Sequence, residues 1–286
     1  MKVLIFNQHP DCSLYMWKAM TELGFDVEFA TEDLTLKIGF PHSSTKNNKF
    51  EVVNTLYKPE EFSETFKNVK FTNEICHDLY LSILPEVVQI FQDKAYWDAQ
   101  MQYFLRNFGS LQCRKSCNHP DANQFGFKFC ANWTPQQKIK LDNPTFITQL
   151  ITQANMMSET VELSNLKKQG HPVKIYGGDQ CEDGFIRDIE ILPRTSLLVH
   201  NKQFGINCYS VCKALDLGIP VYMSKTTKQI IGFDDLPDEL FFFKEDLSII
   251  DAYKLSLSVN RKKIQDTYRS IYSLDRTIST LKECLK

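Results

Sequence analysis

His200, Asn201 and Lys202 stand at the end of an apolar run, "SLLVHN", and a helical pattern, "NCYSVCKALDL", opens soon after it near Asn207. Such a run reads as a buried strand. In an open parallel sheet, ligands bind in the crevice at the carboxyl ends of the strands. A helix that starts there presents first-turn N–H groups without helical partners, backed by the positive end of its dipole. The amides of Cys208, Tyr209 and Ser210 therefore read as a cradle for a phosphate or diphosphate, with Lys202 adding a full charge and His200 and Asn201 polar contacts. Gly177 and Gly178 follow "VKIY" and would form the opposite wall, having no side chains to keep a ligand away.

Two other groups of residues invite chemistry. "CRKSCNHPDANQFGFKFC" places Cys113, Cys117, His119 and Cys130 within one short segment, and thiolates with imidazole are the ligands tetrahedral zinc prefers. The spacing matches no standard zinc finger, so a structural zinc is a minor expectation. The polar stretch 109–143 around it carries Arg114, Lys115, Lys128, Lys138 and Lys140 against Asp121 and Asp142. It reads as a loop-like basic insert, either a solvated surface or a site for an anionic acceptor.

The elements that must position these residues alternate between short apolar runs and helical patterns, the signature of βαβ units around a parallel sheet. "KVLIFNQ", "SLYMWKAMTELGF" and "DVEFA" give strand, helix and strand; "DLYLSIL" is a further strand, and Pro85 with Glu86 opens a helix expected to run to about Asn107. After a helix ending at Gly170 the alternation resumes with "VKIYGG", "DGFIRDIEI", "SLLVHN", "NCYSVCKALDL", "IPVYMS" and "ELFFFK". The expected fold is α/β with two Rossmann-like domains: residues 1–168, residues 169–257, and a helical segment 258–286 that lies across something. A chain of 286 residues is long enough for two cores.

Composition bounds the partners. The net charge of −2 and a pI near 6.3 exert no global pull on nucleic acid or anionic lipid, so any polyanion must be met locally. The first residues lack the basic-then-apolar pattern of a signal peptide, and no apolar run approaches the roughly 18 residues of a membrane span. The expectation is a cytoplasmic protein with no membrane partner. Nine cysteines, several within apolar patterns, read as reduced thiols. The sequence is silent on oligomeric state.

"SLLVHNKQFGINCYSVCKALDLGIPVYMS" resembles the donor-binding segment of GT-B glycosyltransferases, whose helix ends in an EA-x-x-x-G-x-P-V pattern. Ala214, Gly218, Pro220 and Val221 match that pattern, and Lys213 stands where the family carries an acid that grips the donor ribose. The resemblance implies an acceptor domain and a donor domain facing a central cleft, and a final helix crossing back to the first domain. It also implies transfer of a sugar from a nucleotide diphosphate, a UDP-sugar being the leading choice, with no obligatory metal or cofactor. Arg187 and Arg194 flank the segment where the family contacts the base.

An inverting transferase of this kind needs a general base near the acceptor hydroxyl. His9 and Asp11 after the first strand, and Glu86 after "DLYLSIL", are the catalytic candidates; each also has a structural reading, as loop histidine, helix cap and partner of a helix dipole. A retaining transferase depends instead on stabilising the leaving diphosphate.

A compact GT-B enzyme with a basic insert is similar in layout to phage DNA glycosyltransferases, and the Lys-, Asn-, Ile- and Phe-rich composition suggests an AT-rich genome. Hydroxymethylated cytosine in duplex DNA, met in a host cytoplasm, is then one acceptor, contacted by Arg114, Lys115 and Lys128. The segment from Ala252 adds eight basic residues to three acidic ones. An envelope saccharide, a non-catalytic nucleotide-binding protein of the same shape and a sugar-nucleotide epimerase are the alternatives.

Overall fold

The computed structural model describes residues 1–7, 10–40, 45–46, 49–50, 59–99, 111–117, 120–130, 139–151, 159–177, 181–202 and 208–286. The chain divides into two units. The first holds residues 1–53, 57–135 and 272–286; the second holds 54–56 and 136–271.

In the first unit the elements run β1 (Lys2–Ile5), α1 (Pro10–Glu22), β2 (Asp26–Ala30), α2 (Glu32–Lys37), β3 (Thr45–Lys46), β4 (Lys49–Phe50), α3 (Pro59–Thr65), β5 (Lys70–Thr72), β6 (Leu79–Ser82), α4 (Glu86–Phe91), β7 (Ala95–Ala99), β8 (Arg114–Cys117) and β9 (Lys128–Phe129). Its sheet has the order β5-β2-β1-β6-β7-β8-β9, and every pairing in it is parallel. β3 and β4 form a separate antiparallel pair. Helices cover both faces of a parallel sheet, which is why β1, β6 and β7 are apolar along almost their whole length. Val3 to Phe6 are fully buried, and Phe6 sits between Phe40 and Phe91, whose ring stacks on Tyr80 at 3.9 Å.

The second unit runs β10 (Phe146–Ile151), α5 (Thr160–Lys168), β11 (Val173–Gly177), α6 (Asp188–Ile191), β12 (Thr195–Val199), α7 (Tyr209–Asp216), β13 (Val221–Met223), α8 (Lys225–Ile230), β14 (Phe241–Phe243), α9 (Ile249–Ser256) and α10 (Arg261–Ile271). Its sheet, ordered β11-β10-β12-β13-β14, is also wholly parallel. On one face Ile147, Val173, Leu197 and Val199 meet Leu163 of α5 and Ile249 and Ala252 of α9. Two parallel sheets with interleaved helices is the α/β class expected from the alternation.

Several boundaries differ from the expected ones. The main run of the second unit starts at residue 136 rather than near Gly170, because β10 enters the second sheet between β11 and β12. Segment 258–286 is two helices: α10 belongs to the second unit, and α11 (Leu274–Cys284) to the first. α11 is fastened there by Thr280, which donates to the Phe129 carbonyl at 3.3 Å, and by Arg276 over the Phe129 ring. The helix expected from Glu86 to about Asn107 stops at Phe91, where Gln92 takes a positive φ of 50°. β7 then enters the sheet with all five residues buried. The 109–143 stretch supplies β8 and β9 at the sheet edge instead of a loop.

Candidate functional site

Where neighbouring strands of a parallel sheet lead into connections that diverge, a crevice opens at their carboxyl ends. In the second sheet this happens between β10 and β12, since β10 connects outward to β11 and β12 onward to β13. β12 is buried throughout, and its ladder continues one residue further, the His200 N–H donating to the Tyr222 carbonyl at 2.8 Å. The strand thus delivers His200, Asn201 and Lys202 to the crevice end.

His200 is 2 % exposed, and its Nε2 is buried without a hydrogen-bond partner. A buried polar atom left unpaired costs about 1 to 3 kcal/mol, so a ligand able to bond it gains that penalty back. His200 lies close enough to the sulfur of Cys208 to act on it. Cys208 is the N-cap of α7 and makes no side-chain bond to the first-turn amides; its sulfur lies 2.9 Å from Ser210 Oγ instead. Burial alone would raise the Cys208 thiol, but nearby His200, then Lys202 and Ser210, bring it down to about 6. Lys202, Tyr209 and Ser210 are half-buried around this point.

The helix that carries these amides is anchored at its other end. α7 closes with Gly218 at φ 76°, and the Ile219 and Gly218 N–H groups donate to the Ala214 and Leu215 carbonyls, the Schellman arrangement that only a residue at ease with positive φ completes. Asp216 receives Arg269 of α10 at 2.7 Å.

Other expected donor contacts have local duties. Asn201 Oδ1 accepts the Ser224 N–H at 2.6 Å, tying the end of β12 to the cap of α8. Lys213 is buried, its Nζ 2.9 Å from Asp188 Oδ2. Arg187 caps α6 and forks onto Glu190 at 3.1 Å through both Nε and Nη2, while Arg194 lies over the Phe146 ring. Gly177 is required by a neighbouring carbonyl: a Cβ there would stand 2.1 Å from Ile151 O. Gly178 lies outside the described residues.

In the first unit, α4 starts at Glu86 beyond the carboxyl end of β6, and Glu86 Oε2 is buried with no partner. Asn7, just beyond β1, is fully buried with both Oδ1 and Nδ2 unpaired. β1 and β6 are adjacent and flank the corresponding crevice of the first sheet. The sequence reading missed Asn7; the signal was an amide closing a strand of apolar residues. Asp11 falls in the first turn of α1, and His9 lies outside the described residues.

The basic residues meant for an acceptor are used within the first unit. Arg114 donates to the Asp93 carbonyl, Lys115 to the Leu111 carbonyl with its ammonium over the Phe127 ring, and Lys128 faces Glu283 of α11 at 3.6 Å. Among the described residues no group of three His, Cys, Asp or Glu side chains is placed to hold a metal ion. Cys117 and Cys130 are buried in the sheet edge, burial pushes Cys113 up to about 11, and His119 lies outside the described residues.

The fold is shared with known structures. Anabaena HepE, solved in complex with UDP-glucose, is similar over 100% of this chain and 99% of its own, with a TM-score of 0.62 at 12% identity. The fold is GT-B. AviGT4, a glycosyltransferase involved in avilamycin A biosynthesis, is similar over 99% of this chain and 96% of its own (TM-score 0.53, 11% identity). S. aureus TarM, solved with UDP, is similar over 73% of this chain but 55% of its own (TM-score 0.54, 12% identity), so the chain spans about half the length of that GT-B structure. No family model matches the sequence, and no curated protein matches it. Among the described residues no helix is long and apolar enough to cross a membrane.

Proposed function

We propose that this GT-B chain is a glycosyltransferase that uses a UDP-sugar. The diphosphate is held in the second unit at the start of α7, by the first-turn amides, Lys202 and the Nε2 of His200. The observation that carries this reading is His200: a ring nitrogen buried without a partner, at the carboxyl end of β12 and beside a helix start that its own cap leaves open. Preorganised donors of this kind stabilise a leaving diphosphate as charge develops on it. HepE, similar over its whole length, is solved with UDP-glucose and with UDP and glucose, which supports the choice of uridine nucleotide.

The acceptor hydroxyl belongs to the first unit, near Glu86 and Asn7. Glu86 is the candidate base if the reaction inverts, and Asn7 orients the hydroxyl. Hydroxymethylcytosine in duplex DNA loses its support, because Lys115 and Lys128 are engaged locally; a saccharide or small hydroxylic acceptor fits better. A non-catalytic nucleotide-binding protein is the second reading, favoured by one observation: Lys213, in the place of the ribose-gripping acid, is sequestered by Asp188.

Calorimetry with UDP and UDP-glucose, followed by a donor-turnover assay with and without hydroxylic acceptors, separates the readings. Saturable binding weakened at least about tenfold by Lys202→Ala and by His200→Gln, with turnover lowered by Glu86→Gln at unchanged UDP affinity, supports a transferase. Binding without turnover favours the non-catalytic module. No binding, or binding indifferent to both donor-site variants, removes the assignment.

A further inference from the structure

Cys208 differs from the other cysteines in what surrounds it. Cys12, Cys117, Cys130 and Cys212 are buried, and burial raises Cys212 to about 12. Burial likewise raises Cys76, Cys113 and Cys284. Cys208 is half-buried at the positive end of α7, its sulfur 2.9 Å from Ser210 Oγ, with His200 and Lys202 close enough to act on it. A helix N-terminus and adjacent cations are the surroundings that turn a thiol into a reactive thiolate. A second observation is independent of the sulfur: the Nε2 of His200, at the carboxyl end of β12 beside this helix start, is buried with no hydrogen-bond partner.

We propose that Cys208 is a reversible modification site, a thiolate open to peroxide and to soft electrophiles, whose derivatisation closes the anion cradle at the start of α7. The second half of this statement rests on the UDP-sugar reading; the first does not. With hydrogen peroxide as oxidant, the sulfur lone pair attacks one peroxide oxygen, an S–O bond forms and the O–O bond breaks. The leaving hydroxide takes a proton from solvent and departs as water. Sulfur is oxidised by two electrons to the sulfenic acid, and peroxide is reduced. A small thiol then condenses with the sulfenic acid, releasing water, and a second thiol reduces the mixed disulfide back to Cys208. Either derivative places new atoms where first-turn amides would meet a phosphate.

The test uses iodoacetamide on the full chain, with each cysteine followed by peptide mass spectrometry across pH 5 to 9. Cys208 should be the fastest site at pH 7, with a rate midpoint near pH 6. Replacing either neighbour trades a larger thiolate fraction for a more nucleophilic one. For a thiol returned to its ordinary range, a Brønsted slope of 0.4–0.5 leaves a net loss of roughly fivefold at pH 7. His200→Gln and Lys202→Met should each move the midpoint upward, and the second covers the case in which the first fails to fold. After peroxide, a sulfenic-acid trap such as dimedone should mark Cys208, and prior dithiothreitol should abolish the mark. UDP affinity should fall at least tenfold on alkylation of the unsubstituted chain and stay constant on the same treatment of Cys208→Ser. Labelling no faster than at Cys212, or a midpoint near pH 9, overturns the reactive thiolate. Unchanged UDP affinity after full alkylation overturns the closure. If UDP binds neither before nor after, the donor reading fails while the labelling result stands by itself.

Discussion

Lys213 Nζ lies 2.9 Å from Asp188 Oδ2, and the two side chains are only 5 % and 11 % exposed. This ion pair joins α6 to α7 inside the second unit. Removing one partner leaves a desolvated charge, which costs about 3 kcal/mol or more, whereas replacing both by apolar groups is often neutral. Lys213→Met should therefore lower the melting temperature of the second unit, and Lys213→Met with Asp188→Leu should recover most of the loss, as read by circular dichroism. The single substitution leaving stability unchanged would contradict the pair's role.

Gly218 and Gly24 separate conformational strain from collision. Both have positive φ, 76° and 81°. A Cβ at Gly218 would meet the Arg261 carbonyl at 2.3 Å, and one at Gly24 would meet nothing within 4 Å. Gly24→Ala should cost about 1 to 2 kcal/mol, the usual left-handed penalty. Gly218→Ala should cost clearly more, because the start of α10 has to move away. Equal costs in chemical denaturation would show that α10 yields freely.

Asp183 carries a pH dependence of definite sign. Burial works to raise its carboxyl, but the Ile175 N–H, Lys167 and Lys174 outweigh it and hold the group below the ordinary 3.8. The ionised form is thus favoured in the folded state, and the stabilisation is complete above the unfolded value and lost as the pH falls through the folded one. Asp183→Asn should cost about 1 kcal/mol at pH 7 and almost nothing near pH 2. A cost that persists in acid would assign the effect to packing.

Duplex DNA gives a further check. A protein that neutralises several phosphates loses affinity steeply as salt rises. With Arg114 donating to the Asp93 carbonyl, Lys115 donating to the Leu111 carbonyl with its ammonium over the Phe127 ring, and Lys128 paired with Glu283 at 3.6 Å, anisotropy titrations should show no salt-steep binding. Alanine at Arg114 and Lys128 should change nothing. Tight binding with a steep salt slope would restore the DNA acceptor.

What the sequence discloses follows from the range of the interactions involved. β12, α7 and β13 are legible because burial on both faces, helical spacing and Gly218 before Pro220 are all local signals. β7 is hidden because "EVVQIFQDKAYWDA" keeps helical spacing of apolar residues through the point where Gln92 reverses the chain. β10 could have been found: "FITQLI" after Asn143-Pro144 is an apolar, β-branched run behind a turn signal. The partners of Lys213, Lys115 and Gly177 are brought together by the tertiary fold, so a lysine or glycine in a matching position was assigned to a ligand when its neighbour was the protein itself. The same holds for Cys208, whose amide is visible from helix start rules but whose thiol depends on where β12 leaves His200.

α11 returns to the sheet edge formed by β8 and β9, so the two units are completed in the opposite order from that in which they start. On the ribosome, residues 136–271 of the second unit are all synthesised before Thr277 and Leu281, which are fully buried in the first. The earlier-made lobe must wait, with the rim of β9 uncovered, until the later-made one has emerged.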